Sequence, residues 1–259
     1  MSLLISGDLR LAKGAAMSWR ITPTQPVPVD PVFNNVSLLL HGNGTNGSTT
    51  ITDSSPTPKT VTAVGNAQIS TAQSKFGGAS LLFDGNGDYL TIPDSTDWNL
   101  PNDFTIEAWV YLTAYSASYA GSFGAAVISQ YLFPATGPDA GWQLRINGTA
   151  SSYTTINVYT GRTDLNFATT VSLNAWTHVA VTRSGSSIRA FVNGTQADST
   201  ITNSDAFTES GTRSLWIGGI NDATYKFWLP GYIDDLRITK SVARYTANFT
   251  PPTAPFPDI

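Results

Sequence analysis

From Val36 onward the chain is a succession of short β-rich runs separated by turn residues. They fall at 36–41, 60–64, 79–83, 89–93, 104–112, 126–130, 142–147, 154–160, 176–183, 188–193, 214–218 and 231–239. In the run 104–112, Phe104, Ile106, Ala108 and Val110 share one face, and Glu107 falls on the polar one. In the run 176–183, Val179 and Val181 alternate with His178, Ala180 and Thr182. A period of two with one apolar face predicts strands of a sheet buried on one side. Asn-Gly recurs at 43, 46, 86, 147 and 193. That pair tolerates the positive φ angles of tight hairpin turns, so antiparallel pairing is predicted. No segment carries a helical period beyond a turn or two; residues 240–245 could form one such turn. The pattern predicts an all-β antiparallel sandwich.

Residues 1–33 are of another kind. Prolines at 23, 26, 28 and 31 hold a chain extended and exclude both helix and central strand. We therefore read 1–33 as an N-terminal arm with a proline-rich linker, 34–250 as the folded domain and 251–259 as a proline-rich tail. The 259 residues suit one large β domain that needs no covalent staple. Cysteine is absent, which excludes disulfides, thiolate metal sites and a cysteine nucleophile. Charged residues make up 12 % of the chain, about half the usual share of roughly 25 %. Ser, Thr and Asn must then make the surface polar, as suits an extracellular or particle-exposed protein. The net charge of −4 argues against a nucleic-acid partner. No apolar run reaches the ~20 residues of a membrane helix. Asp8, Arg10 and Lys13 interrupt the N-terminal apolar stretch, so no secretion signal is read.

Several segments carry a resemblance. Phe83-Asp-Gly-Asn-Gly-Asp-Tyr-Leu-Thr-Ile92 resembles the opening strand pair of the laminin-G-like, concanavalin A-like jelly rolls. Phe104-Thr-Ile-Glu-Ala-Trp-Val110 is similar to their next core strand. Trp176-Thr-His-Val-Ala-Val-Thr182 with Arg189-Ala-Phe-Val-Asn-Gly194 resembles their central hairpin, and 227–239 their closing strand. The resemblance implies a two-sheet jelly roll over about residues 36–250, preceded by the extended arm. The closing stretch 231–252, with 36–44 and 75–84, is similar to the version found in tailed-bacteriophage structural proteins. That implies a virion protein, assembled in the host cytoplasm and exposed on the particle surface. It would be a capsid decoration or tail-appendage subunit, docked on other virion proteins through its arm. A homo-oligomer such as a trimer fits either role. The alternative is an adhesin that binds host surface glycan.

Catalysis is not expected. Glycoside hydrolysis needs two carboxylates set across the sugar bond. The chain has only two glutamates, Glu107 and Glu209, and neither lies in the Glu-x-Asp-x-x-Glu pattern of the glucanase relatives. Asp234 and Asp235 are strand neighbours, expected on opposite faces. His178 is expected to be structural. Calcium is the candidate cofactor, because it takes six to eight oxygens. Asp84 and Asp88 offer two carboxylates in one turn. The resemblance implies that this turn lies near Asp234 or Asp235, of which at most one would be a ligand. Aromatic side chains in two loops are candidates for stacking on sugar or for a protein interface: Tyr115, Tyr119 and Phe123 in the first, Tyr225 and Trp228 in the second. Trp109, Trp142, Trp176 and Trp216 are expected to fill the core.

Overall fold

The computed structural model describes residues 28–116, 123–131, 140–220 and 226–259. Two antiparallel sheets face each other. The first is ordered β13-β12-β11-β6-β15-β4-β3, with β1 also paired to β15. These strands are β1 (Val36–Leu40), β3 (Gln68–Ser70), β4 (Ser80–Asp84), β6 (Phe104–Leu112), β11 (Thr177–Ser184), β12 (Ser187–Val192), β13 (Thr195–Thr202) and β15 (Pro230–Lys240). The second is ordered β10-β9-β8-β7-β14-β5-β2. It comprises β2 (Thr62–Val64), β5 (Tyr89–Ile92), β7 (Phe123–Ser129), β8 (Gln143–Thr149), β9 (Ser152–Tyr159), β10 (Asp164–Val171) and β14 (Leu215–Ile217). The predicted jelly-roll sandwich is what the chain forms.

The alternation read from the sequence is obeyed between the sheets. Phe104, Ile106, Ala108 and Val110 enter the core with Val179 and Val181, and meet Ile128, Leu144, Ile156 and Ile217 from the second sheet. Asn193 and Gly194 turn the chain from β12 to β13 with φ of 49° and 75°, the paired positive values that a two-residue hairpin demands. Asn147-Gly148 behaves differently: it continues β8, and the chain turns after Thr149.

Of the four tryptophans expected in the core, Trp142 is there, and its Nε1 donates to Trp98 O at 2.8 Å. Trp109 lies on the outer face of the first sheet, 6.0 Å from the Phe76 ring. Trp176 and Trp216 are half-buried. Both outer faces are thus partly covered, which a one-sided pattern does not announce.

Glu107 is the main departure from expectation. It sits on the outward face of β6 yet is fully buried, because the chain's own ends cross that face. Arg237 on β15 donates to Glu107 Oε1 through Nε at 3.0 Å and Nη2 at 2.7 Å. The Tyr245 hydroxyl donates to Oε2 at 2.8 Å, and His178 Nε2 lies 3.3 Å from the same oxygen. Arg237 Nη1 also reaches Asp30, which Arg244 grips through Nη1 at 3.1 Å and Nη2 at 2.6 Å. Phe256 lies over the Arg237 guanidinium, its ring centre 3.7 Å from Cζ. Asp30 N donates to Ile259 O, so the two ends of the described chain meet here. Residues 28–33 and 251–259, read as linker and tail, therefore belong to the fold. Residues 1–27 lie outside the described residues.

Burial pushes the Glu107 carboxyl up, but the charge of Arg237 and the contact with His178 outweigh it and hold the group at about 2, against an ordinary 4.5. A carboxylate depressed on folding stabilises the native state above its unfolded value, and that stability is lost as pH falls through the folded one. Denaturant titrations are expected to lose stability between about pH 4.5 and 2, and Glu107→Gln should remove the Glu107 share of that loss. The part due to Asp30 should remain, since burial is outweighed there too and Arg244 holds that carboxyl below the ordinary carboxylate range. Arg237→Ala leaves the buried Glu107 carboxylate without its main counter-charge, so a loss of ~3–5 kcal/mol is expected at neutral pH.

Candidate functional site

The carboxylates proposed for calcium form two separate groups. Asp88 is buried and accepts from two backbone N–H groups, Asn66 at 2.5 Å and Asp84 at 2.8 Å. Asp84 accepts from Asn86 N at 2.7 Å and from Asn66 Nδ2 at 3.2 Å. Asp234 and Asp235 lie further along the neighbouring strand. Asp84 faces Pro230, four residues before Asp234, which at the strand rise is roughly 13 Å away. Asp234 Oδ2 accepts from Lys75 N and Phe76 N at 2.7 and 3.1 Å. Asp235 takes His41 Nδ1 at 2.5 Å and Phe256 N at 2.8 Å. Among the described residues no three His, Asp or Glu side chains converge as metal ligands. The residues do not fit a calcium ion that ties the turn 84–88 to the closing strand.

The expectation that Asp234 and Asp235 take opposite faces also fails. Ile233 and Leu236 both enter the core, so the two residues between them both lie outside it. Asp235 has φ of 47° and the pairing with β6 slips between Asp234 and Arg237, which marks a β-bulge. At the same place the other edge of β15 changes partner, from β4 to β1. A bulge inserts one residue and breaks the alternation on which the expectation rested.

The outer face of the second sheet carries a different constellation. Leu144 and Ile146 on β8, and Ile156 and Val158 on β9, point into the core. Gln143, Arg145 and Asn147, with Asn157 and Tyr159, therefore point outward. Arg145 donates to Asn157 Oδ1 through Nε at 2.8 Å and through Nη2 at 2.5 Å, and its Nη2 also reaches Asp164 Oδ1 at 2.8 Å. Asn157 Nδ2 donates to Asp164 Oδ1 at 3.0 Å and to Asn166 Oδ1 at 2.8 Å. The result is a polar ladder across three strands, covered at β8 and open at the edge strand β10, where Asp164 and Asn166 are exposed.

Aromatic rings stand on both sides of the ladder. Tyr131 meets Tyr159 edge-on at 4.6 Å. Phe227 lies over Arg145, its ring centre 4.6 Å from Cζ, and packs with Trp216, Ile220 and Ala126. Trp228 stacks on Tyr89 at 6.0 Å and 14°. Leu90 and Ile92 are core residues, so Tyr89 belongs to this outer face too. Gly124 on β7 keeps the floor open: a Cβ there would come within 2.6 Å of Asn147 Oδ1 and 3.0 Å of the Phe227 ring.

Of the aromatic candidates, Trp228 is brought to this face. Tyr115 instead packs edge-on against Tyr153 at 5.1 Å, beside the core. Burial raises the Tyr153 hydroxyl to about 12, and it bonds to the backbone of Ala114 and Ser116. Phe123 opens β7 opposite Gly148. Tyr119 and Tyr225 lie outside the described residues. Gln143, Arg145, Asn157, Asp164 and Asn166 escaped sequence reasoning, although Gln143, Arg145 and Asn147 do alternate with apolar neighbours.

Fold and face together define an all-β jelly-roll domain of lectin-like build. Residues 84–244 match the Concanavalin A-like lectin/glucanases superfamily, and the chain belongs to that family. No curated protein sequence matches it. Among solved structures it is similar to domain 4 of AbnA, a GH43 extracellular arabinanase from Geobacillus stearothermophilus, in complex with arabinotriose. That match has a TM-score of 0.57 and 15 % identity, over 81 % of this chain and 94 % of the other. It is also similar to the binding domain of Paraclostridial Mosquitocidal Protein 1, with TM-score 0.58 and 12 % identity, over 82 % and 50 % of the two chains. A third is botulinum neurotoxin type C, whose cell entry depends on two ganglioside molecules, with TM-score 0.54 and 15 % identity, over 82 % and 49 %. The chain thus spans about half the length of the two toxin chains. At these identities the likeness is one of fold.

The Asp234 carboxyl is pushed up to about 6 by burial and by Asp235, against the pull of the Phe76 and Lys75 N–H groups. A group whose pKa is raised on folding stabilises the native state below its unfolded value, and that stability is lost as pH rises through the folded one. Asp234→Asn is expected to remove a decline in melting temperature between pH 3.8 and about 6, read by calorimetry across that range.

Proposed function

We propose that the chain is a non-enzymatic carbohydrate-binding domain that holds a glycan on the outer face of the second sheet. The ladder from Arg145 through Asn157 to Asp164 and Asn166 carries this reading. Sugars offer hydroxyl groups around apolar ring faces. A site that takes them combines fixed donors and acceptors with aromatic surface; here the ladder shares its face with the half-buried rings of Tyr89, Tyr159 and Trp216, while Tyr131, Phe227 and Trp228 are buried behind them. Residues 28–33 and 251–259 cross part of the outer face of the first sheet, which favours the second as the face for a ligand. Two structural neighbours, one in complex with arabinotriose and one whose cell entry depends on gangliosides, support the same class. The ladder holds a single carboxylate, Asp164, already engaged by Arg145. Hydrolysis would need a second at a set distance.

A glycan array probed with the labelled full chain is expected to give discrete positives. Asn157→Ala, which removes the acceptor that fixes Arg145, should weaken the strongest of them about tenfold or more, a cost of ~1.4 kcal/mol or above. An array without positives would contradict the proposal.

The setting we propose for this domain is the surface of a phage particle. Support comes from the closing strand and its continuation, whose sequence resembles phage structural modules. Residues 1–27 precede the clasp at Asp30 and would carry the attachment. Deleting them should leave the melting temperature unchanged while abolishing incorporation into particles. Normal incorporation of the shortened chain would rule that attachment out.

A further inference from the structure

We propose that the glycan taken by this face is neutral and that Gln143 is a reading residue for it; the inference rests on the carbohydrate-binding reading above. Gln143 lies in the outward row of β8, between Ser129 on β7 and Tyr159 on β9. It is 1 % exposed, and neither its Oε1 nor its Nε2 has a hydrogen-bond partner. Asn147 Oδ1, two positions beyond Arg145 in the same row, is likewise buried without a partner. A buried amide left unpaired costs stability, and such groups call for an explanation in function. A carboxamide presents one acceptor beside one donor, the arrangement that adjacent hydroxyls of a sugar satisfy.

The charge on the same face is cancelled internally. Arg145, the cation of the ladder, spends Nε and Nη2 on Asn157 and Asp164, with Phe227 over its plane. A guanidinium held this way has its Nε–Nη2 edge occupied and cannot pair a uronate or sulfate through it. Asp164 in turn repels such anions. Amides on the floor with a paired charge beside them select uncharged hydroxyl-bearing ligands over acidic ones.

Two variants of the full chain test this by affinity electrophoresis. The neutral probes are a mannan, a galactan and an arabinan; the acidic ones are polygalacturonate and a sulfated galactan. The wild type should be retarded by at least one neutral polysaccharide and at least tenfold less by the acidic ones. Asp164→Asn removes the carboxylate at the exposed end of the ladder that opposes the Arg145 charge, and should shift that ratio at least tenfold toward the acidic probes. Gln143→Met removes the unpaired amide, and should raise the melting temperature while lowering neutral-glycan affinity at least tenfold. A Gln143 with a purely structural role would lower the melting temperature instead. Preference of the wild type for acidic polysaccharides, or an unshifted ratio in Asp164→Asn, overturns the neutral selectivity but leaves carbohydrate binding standing. Retardation by neither class defeats the carbohydrate-binding reading itself.

Discussion

Glu107 is a carboxylate fully removed from water on the outward face of a central strand, and the arrangement of the first sheet follows from satisfying it. An isolated buried charge costs several kcal/mol, and only well-placed partners offset that. The partners come from distant parts of the chain: Arg237 from the closing strand, Tyr245 from the segment after it, His178 from β11. Arg237 is in turn shared with Asp30 near the start of the described chain. One acid thus ties both chain ends to the sheet centre. Its consequence for function is indirect: the two ends of the described chain cross part of the first sheet's outer face, and the proposed recognition surface lies on the second.

That division was only half legible in the sequence. The core strands could be read because Phe104 through Val110 and Val179 through Val181 alternate plainly. The sequence places Glu107 on the polar face of its strand, because alternation reports which face a side chain takes. It does not report whether a later segment will cover that face. The same limit moved Trp109 out of the core and brought the proline-rich ends into the fold. Prolines near the ends do exclude strand pairing, yet extended chain packs well through side chains such as Phe256.

The ladder was harder to foresee. Its outermost strand, Asp164–Val171, was not recognised at all, although Leu165 and Phe167 alternate with Asp164 and Asn166 there. Without that strand, Asn157 and Arg145 have no visible partner, and they read as ordinary surface residues. The carboxylate pairs misled in the opposite sense. Asp84 with Asp88 and Asp234 with Asp235 stand out in sequence, but their oxygens fix backbone turns and the bulge at Asp235. Turn chemistry and ligand chemistry use the same residues, and only the geometry separates them.

The proposed recognition surface runs over β8 to β10, while the acidic turns and the Glu107 network hold backbone and chain ends in place. Amide chemical-shift mapping with a neutral oligosaccharide tests that most directly. Shifts are expected to concentrate at Gln143, Arg145, Asn157 and Tyr159, with the first sheet unmoved. Shifts concentrated at residues 84–88 or on the closing strand would contradict it.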